Sequence, residues 1–367
     1  MPRTMIALVS EQRMQNIIPI LQKGAQYDRL LLIRSTDADV QDSRFFRAWK
    51  QTIEALEGIV ETQSVDPSVG AYEVAHIQAI VANLIKGSGG AVVNFTGGTK
   101  CMSIGAYLAA LEMKADALYV DTADEELLWF SADGQVKKEK FDLAGRLTVR
   151  TYLKANGKSV DEDRTRLYRL DQPAIDAARC LLSLWPNCVD SLDEFGVAIS
   201  QGRGVLPASN LDTLLATILQ DGGLVKNCVD HWEATPQGRA FLTGRWLDAL
   251  VYICLLDSGD FDDVQLDLGL EGIENELDVL ATRGGQLTLI ECKSGDLGGQ
   301  TTLNKLQAIR SGFGTFARAF FVSSRGSAQI NRQFRNRARE YGIREIITRE
   351  SLPGIVARVR QGMRGVA

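Results

Sequence analysis

The chain has 367 residues, more than one average domain and suited to two or three. Hydrophobic residues make up 45% and charged residues 24%, near globular averages, which excludes a disordered or fibrous protein; no apolar run approaches the ~20 residues of a membrane span. The net charge of −5 hides an asymmetry, because residues 301–367 carry thirteen Lys and Arg against three Asp and Glu, so a polyanion met by one domain is expected.

The first 140 residues alternate strand and helix patterns. Strands are expected at 5–9, 30–34, 59–65, 91–95 and 117–121, with amphipathic helices at 45–56, 72–85 and 102–113. That order predicts an α/β domain, a mostly parallel sheet with helices on both faces. Apolar runs at 126–131 and 135–141 around Ala132-Asp133-Gly134 read as a closing β-hairpin. Residues 146–172 are highly charged and read as a connector. A helix at 211–220 and a hairpin-like stretch at 222–234 suggest a small helical, winged-helix-like module. From 244 a second α/β pattern follows: helix 245–256, strand 264–268, hairpin 276–293, helix 303–312, strand 315–323, helix 328–341 and strand 344–348. The domain boundaries expected are 1–145, 146–240 and 241–367.

The strongest chemical signal is NELDVLATRGGQLTLIECKSG at 275–295. With Gly284-Gly285 as a two-residue turn, Asp278 falls opposite Glu291 and Glu276 opposite Lys293. Side chains two apart share a face, so all four emerge on one side of strands that are otherwise apolar. Carboxylates crowded on a partly buried face are costly unless compensated. A divalent cation compensates two of them and a lysine a third, an arrangement suited to phosphodiester hydrolysis. With only two histidines and no CxxC, the ligands must be mainly carboxylates, which points to magnesium or manganese. Asp278, Glu291, Lys293 and Glu276 are the candidate catalytic residues. Asp278, Glu291 and Cys292 are the candidate metal positions, the last beside a backbone carbonyl donor. A cross-strand ladder of surface ion pairs is the plain alternative.

The segment resembles the PD-(D/E)xK core of restriction-endonuclease-like nucleases, with Asp278, Glu291 and Lys293 on the motif positions and the usual preceding proline absent. GRWLDALVY at 244–252 resembles the first core helix, which implies a metal-assisting role for Asp248, although related nucleases carry Glu there. Lys305 and Arg310 follow on the next helix as possible contacts to the substrate backbone.

A second signal is AVVNFTGGTKCMSIGAYLAA at 91–110. A buried strand runs through Thr96, Gly97, Gly98, Thr99 and Lys100 into a helix. Glycines admit close backbone approach, and the helix N-terminus with Lys100 favours an anion. The string is neither a Walker A loop nor GxGxxG. Ser10 and Gln12 end the first strand and, with Asn16, offer polar readout at a neighbouring strand end.

With both signals, the chain resembles the CARF-domain nucleases of type III CRISPR systems, in particular those joining one CARF domain to one PD-(D/E)xK domain. The resemblance implies a homodimer whose CARF domains bind a cyclic oligoadenylate, most often cyclic tetraadenylate. It also implies allosterically activated, metal-dependent cutting of DNA, RNA or both in antiviral defence. Two rivals are a ligand-responsive transcription regulator and a ring nuclease that degrades the messenger, with Ser10 or Thr96 positioning a ribose hydroxyl. The N-terminus lacks a signal-peptide layout and the six cysteines lie mostly in apolar stretches, so a cytoplasmic protein with no membrane partner is expected.

Overall fold

The structure, a computed structural model, describes residues 3–35, 43–65, 70–207 and 211–364. The chain divides into two compact units, Met1–Ser159 with Thr282–Gly285, and Val160–Ala281 with Gln286–Ala367.

The first unit begins β1 (Thr4–Leu8), α1 (Met14–Leu21), β2 (Arg29–Ile33), α2 (Arg44–Leu56), β3 (Glu61–Val65) and α3 (Val74–Gly87). It continues β4 (Ala91–Asn94), α4 (Lys100–Glu112), β5 (Ala117–Asp121), β6 (Glu126–Phe130), β7 (Val136–Lys140) and α5 (Val149–Ala155). The sheet order is β3-β2-β1-β4-β5-β6-β7. Strands β1 to β5 are parallel, and β6 and β7 add the antiparallel hairpin expected from the sequence. Ile6, Leu8, Leu31, Ile33 and Val93 point to one face, where they pack with Ile77, Val81, Met102 and Ala106 of α3 and α4. Alternate strand residues such as Met5 and Ala7 are equally buried, so both faces are covered, as a parallel sheet requires. The third strand is shorter than expected: Gly58 takes φ +75 after α2, and Ile59 lies in the turn, 42% exposed. The charged stretch after residue 146 is not plain connector. Its helix α5 buries Val149, Tyr152 and Leu153, and only the intervening polar positions face outward.

The first unit also takes in Thr282–Gly285. There Thr282 Oγ1 donates to the Leu147 carbonyl at 2.7 Å, and Arg283 lies 3.6 Å from Glu125. Gly284 and Gly285 have φ +54 and +80, the two left-handed residues of a type I′ turn.

The second unit opens with α6 (Glu162–Tyr168), α7 (Gln172–Leu181), α8 (Val189–Ser200), β8 (Val205–Pro207) and α9 (Thr213–Asp221). The strands β9 (Val225–Cys228) and β10 (His231–Ala234) and the short α10 (Pro236–Ala240) follow. A small antiparallel sheet, β8-β10-β9, accompanies these helices, the make-up expected of a winged-helix-like module. The module has no core of its own. Leu192, Phe195, Leu215 and Leu219 share one buried cluster with Trp246, Leu250, Ile290 and Phe320 further along the chain.

The α/β part comprises α11 (Trp246–Ser258), β11 (Asp263–Leu270), β12 (Ile273–Arg283), β13 (Gln286–Lys293) and α12 (Gly299–Ser311). It ends β14 (Ala317–Ser323), α13 (Arg332–Glu340), β15 (Ile343–Ile347) and α14 (Ile355–Met363). The sheet runs β11-β12-β13-β14-β15, with β13, β14 and β15 parallel. Helix α14 has no counterpart among the expected elements. Its apolar positions Ile355, Val359 and Met363 recur every fourth residue and are buried, a periodicity that the arginines between them obscure. Among the described residues, no helix is long and apolar enough to cross a membrane.

Candidate active site and anion loop

Three elements of the second unit converge on one point. Asp278 lies on β12, Glu291, Cys292 and Lys293 on the neighbouring β13, and Asp248 in the first turn of α11. The two strands end at Arg283 and resume at Gln286, so the turn is the two glycines, as the sequence requires. Asp278 Oδ2 accepts the Cys292 N–H at 2.7 Å, which ties the carboxylate to the partner strand. Lys293 Nζ lies 2.7 Å from Glu291 Oε1, and the Glu291 side chain is 8% exposed. Donor atoms of Asp248, Asp278 and Cys292 all lie within 4.8 Å of one another. Glu291 stands outside that trio, held by Lys293. The lysine therefore bonds Glu291 in the same strand rather than Glu276 across the hairpin. Glu276 is half-buried and stays at the rim, where its charge is felt by Asp267.

The electrostatics follow from burial. Asp278 is pushed up to about 8, first by desolvation and then by the charge of Glu291, against the pull of Lys293 and the Cys292 N–H. Asp248 is raised well above the usual carboxylate range by burial, and by Asp278 and Asp267. Burial works against the charge of Lys293, but Glu291 and Asp278 outweigh it, so the ammonium is held charged beyond its ordinary range. Cys292 is raised by burial and by the same carboxylates, so its thiol stays protonated. A neutral thiol is a poor ligand for a hard cation, whereas the carboxylates and the Cys292 main-chain carbonyl are the donors such an ion prefers. The carboxylates of Asp248 and Asp278 thus fit a divalent cation, with Glu291 close by and paired with Lys293.

A residue absent from the sequence expectations stands beside this set. Asp267 on β11 is 1% exposed and pairs with Arg245 through Oδ2. Burial raises it to about 6, with Arg245 opposing and Glu276 adding to the rise. Its one sequence signal was an aspartate inside an otherwise apolar strand. Lys305 and Arg310 lie on α12 and are half-buried.

In the first unit, β1 and β4 are adjacent central strands. The order reverses between them, the position at which open α/β sheets bind ligands. Ser10 and Gln12 follow β1, and Thr96 to Lys100 follow β4, so the structure brings the two predicted loops to one end of the sheet. A Cβ on Gly97 would stand 2.4 Å from the Leu8 carbonyl oxygen, and Gly98 takes φ +73, so both positions require glycine. Thr99 caps α4 by accepting the Met102 N–H and donates to the Ala71 carbonyl. Thr96 donates to Asn94 Oδ1 at 2.7 Å and accepts the Val120 N–H at 2.8 Å, so its hydroxyl is committed to shaping the loop. Ser10 Oγ accepts the Gln12 N–H at 3.2 Å, and Gln12 Oε1 accepts from Gln15. Lys100 is exposed at the first turn of α4. Asn16, which the sequence offered for readout, is 1% exposed and bonds the Leu8 carbonyl and Asn94. It is joined by Asn94, 0% exposed, whose amide donates to the Gln15 carbonyl. These two amides lock β1, α1 and β4 together beneath the loops.

One unit thus carries a parallel sheet with two loops at its reversal point, and the other a carboxylate hairpin on a mixed sheet. Residues 4–152 match the family model of the Card1 CARF domain, and residues 236–365 match the Card1-like endonuclease domain. The chain belongs to this family of CARF-domain endonucleases. A search of the curated proteins gives no match. Among solved structures, protein VC1899 from Vibrio cholerae is 18% identical with a TM-score of 0.70, covering 99% of each chain. Can2 from Sulfobacillus thermosulfidooxidans, solved with cyclic tetra-adenylate, is 20% identical with a TM-score of 0.65, covering 99% of this chain and 97% of that one. A type III CRISPR defence DNA nuclease activated by cyclic oligoadenylate is 19% identical with a TM-score of 0.57, covering 88% of this chain and 45% of the other. At these identities the likeness is one of fold.

The raised carboxyl of Asp278 has a consequence for stability. Between its ordinary value of 3.8 and about 8, the folded protein holds a proton that the unfolded chain has released. Its contribution is therefore full at low pH and lost as pH rises through that window. Thermal melts without divalent cation should show a steeper fall in Tm from pH 5 to 8 than Asp278→Asn shows. Added Mn2+ should flatten the difference, because a cation replaces the proton. Equal slopes in the two proteins would remove the burial assignment.

Proposed function

We propose that this protein is a metal-dependent endonuclease that a cyclic oligoadenylate, cyclic tetraadenylate in the first instance, switches on in type III CRISPR antiviral defence. The observation that carries the reading is the presence in one chain of the CARF domain, with its loops at the reversal of the sheet, and of the Asp278, Glu291 and Lys293 constellation in the endonuclease domain. The ligand bound to Can2 and the activation named for the type III nuclease support it.

Hydrolysis adds a water oxygen to phosphorus and expels a ribose oxygen. A Mg2+ or Mn2+ ion held there would supply Lewis-acid activation and offset the charge growing on phosphate. Asp278 and Asp248 would hold that ion, with Glu291, once released from Lys293, and the Cys292 carbonyl as further donors. Lys293 stays charged, so it serves as a donor to phosphate oxygens and not as the base. Arg332 and Arg339 are exposed on α13, and with Lys305 and Arg310 of α12 they suit the backbone of a DNA or RNA substrate. For the activator, Gly97 and Gly98 give backbone donors room to approach phosphate, and Lys100 adds charge beside Ser10 and Gln12.

The active form is a homodimer in the cytoplasm. Helix α4 exposes Ile104, Leu108 and Leu111, 52%, 39% and 36% accessible, one above the other on a single face. Such an apolar stripe suits a second copy of the chain, which also matches the two-fold symmetry of a cyclic activator. The six cysteines are free, in keeping with a reducing compartment.

Glu291→Ala is expected to lower cleavage of plasmid or RNA by a factor of at least about 10³ while cyclic tetraadenylate binding persists. Wild-type cleavage by that variant would remove the site. Lys100→Ala is expected to raise the activator concentration for half-maximal cleavage about tenfold, with fully activated turnover intact. Unchanged activator affinity, read by calorimetry, would speak against the loop. Leu108→Asp should convert the dimer to monomer in analytical ultracentrifugation, and a persisting dimer would place the interface elsewhere.

A further inference from the structure

The nuclease site contains a second buried ion pair, Arg245 with Asp267, that no motif position accounts for. Arg245 ends the turn Phe241–Arg245 and holds the N-cap position of α11, and its Nη2 donates to Asp267 Oδ2 on β11. The pair is 19% and 1% exposed. Asp267 takes φ +55 inside a strand, a left-handed conformation that costs energy in any residue bearing a Cβ and that Asp and Asn tolerate best. Each partner also keeps a buried polar atom without a hydrogen-bond partner, Arg245 Nε and Asp267 Oδ1. A buried pair with so little compensation contributes little net stability, because desolvation offsets the attraction. Stability therefore does not account for it.

Its position does. Gly244, at φ +148, breaks the helical path just before α11, so the start of that helix is not held by a continuous preceding helix. No side chain caps the helix at Arg245. Three residues on, in the first turn, stands Asp248. Arg245 thus ties that turn to β11, and β11 lies beside β12, the strand of Asp278. We propose that Arg245 and Asp267 are a positioning pair that seats the first turn of α11 on the sheet, so that Asp248 faces Asp278 at the separation a divalent cation needs. The inference rests on the metal-dependent reading above and adds to it two residues outside the ion's own ligands.

The test is Mn2+ binding to the full-length protein by isothermal titration calorimetry, without activator or substrate, alongside thermal melts. Loss of positioning partners behind a metal ligand typically weakens affinity about 10–100-fold. Asp267→Asn and Arg245→Gln are each expected to do so, and the double variant should be no weaker than the worse single, since one unit has been removed. Charge alone predicts otherwise. Asp267→Asn leaves a bare cation and weakens Mn2+ binding, but Arg245→Gln leaves a bare anion and tightens it. Tighter binding in Arg245→Gln, or unchanged binding in both, overturns the inference. Should either variant fail to fold, Arg245→Lys decides, because it keeps the charge and loses the guanidinium geometry. Positioning demands weaker binding there and charge alone demands none. Asp278→Ala is the control: full Mn2+ affinity in that variant would bring down the metal reading itself, whatever Arg245 does.

Discussion

The nuclease unit is organised by too many buried carboxylates for its cations. Asp248, Asp267, Asp278 and Glu291 lie in one neighbourhood, and the cations beside them are Arg245 and Lys293. Each cation is already taken, Arg245 by Asp267 and Lys293 by Glu291. What is left is Asp248 with Asp278, two acids that cannot both ionise cheaply in a low-dielectric site unless something of charge +2 stands between them. The neighbouring folding decisions serve that constraint. Helix α11 begins after a break so that its first turn can present Asp248, β11 accepts a strained aspartate, and the hairpin is closed by the tightest turn available.

Much of this was legible in the sequence because it depends on short-range rules. The glycine pair sets a two-residue turn that brings Asp278 to β13, but strand alternation alone puts Cys292 on the face away from Glu291, whereas the structure groups Asp278 with Cys292 and Asp248. The parallel sheet of the first unit was legible for a similar reason, since strand and helix periods alternate cleanly through Asp121. What the sequence hid depends on long-range pairing. Nothing local marks Asp267 as the partner of Arg245, 22 positions earlier. Asn16 looked like a readout residue because asparagine after a strand usually caps or binds. Only the fold shows Asn94 arriving 78 positions later to bury its amide. The small helical module looked separable because its elements are short. Its apolar side chains turn out to complete the core of the nuclease sheet, which no local pattern records.

The two functional regions solve opposite electrostatic problems with different materials. On the proposed function the loop after β4 receives negative charge, and does so mainly with backbone. Side chains are absent where a ligand must come close, at Gly97 and Gly98, and the polar side chains around them, Thr96, Thr99 and Asn94, are spent on fixing the loop. Such a site carries little desolvation cost, because the first peptide N–H groups of a helix lack the intrahelical partners of later turns, although Thr99 already takes that of Met102. The nuclease site must instead concentrate negative charge, which only side chains can supply, and it carries the cost of burying them.

That difference makes the hairpin turn the most exacting position in the nuclease site. Side chains alternate faces along a strand, so a slip of one residue between β12 and β13 would send Asp278 and Glu291 to opposite sides and leave each carboxylate with the wrong neighbours. A longer loop would allow that slip. Gly284-Gly285 does not, because both residues occupy left-handed backbone that other residues adopt at a cost, and a Cβ on either would meet a neighbour within 2.8 Å. The glycines hold the acids in register through geometry alone, while the Arg245–Asp267 pair ties the start of α11, three residues before Asp248, to β11. An ion bound there reads both constraints at once, so its affinity measures how well the hairpin and the helix start have been set.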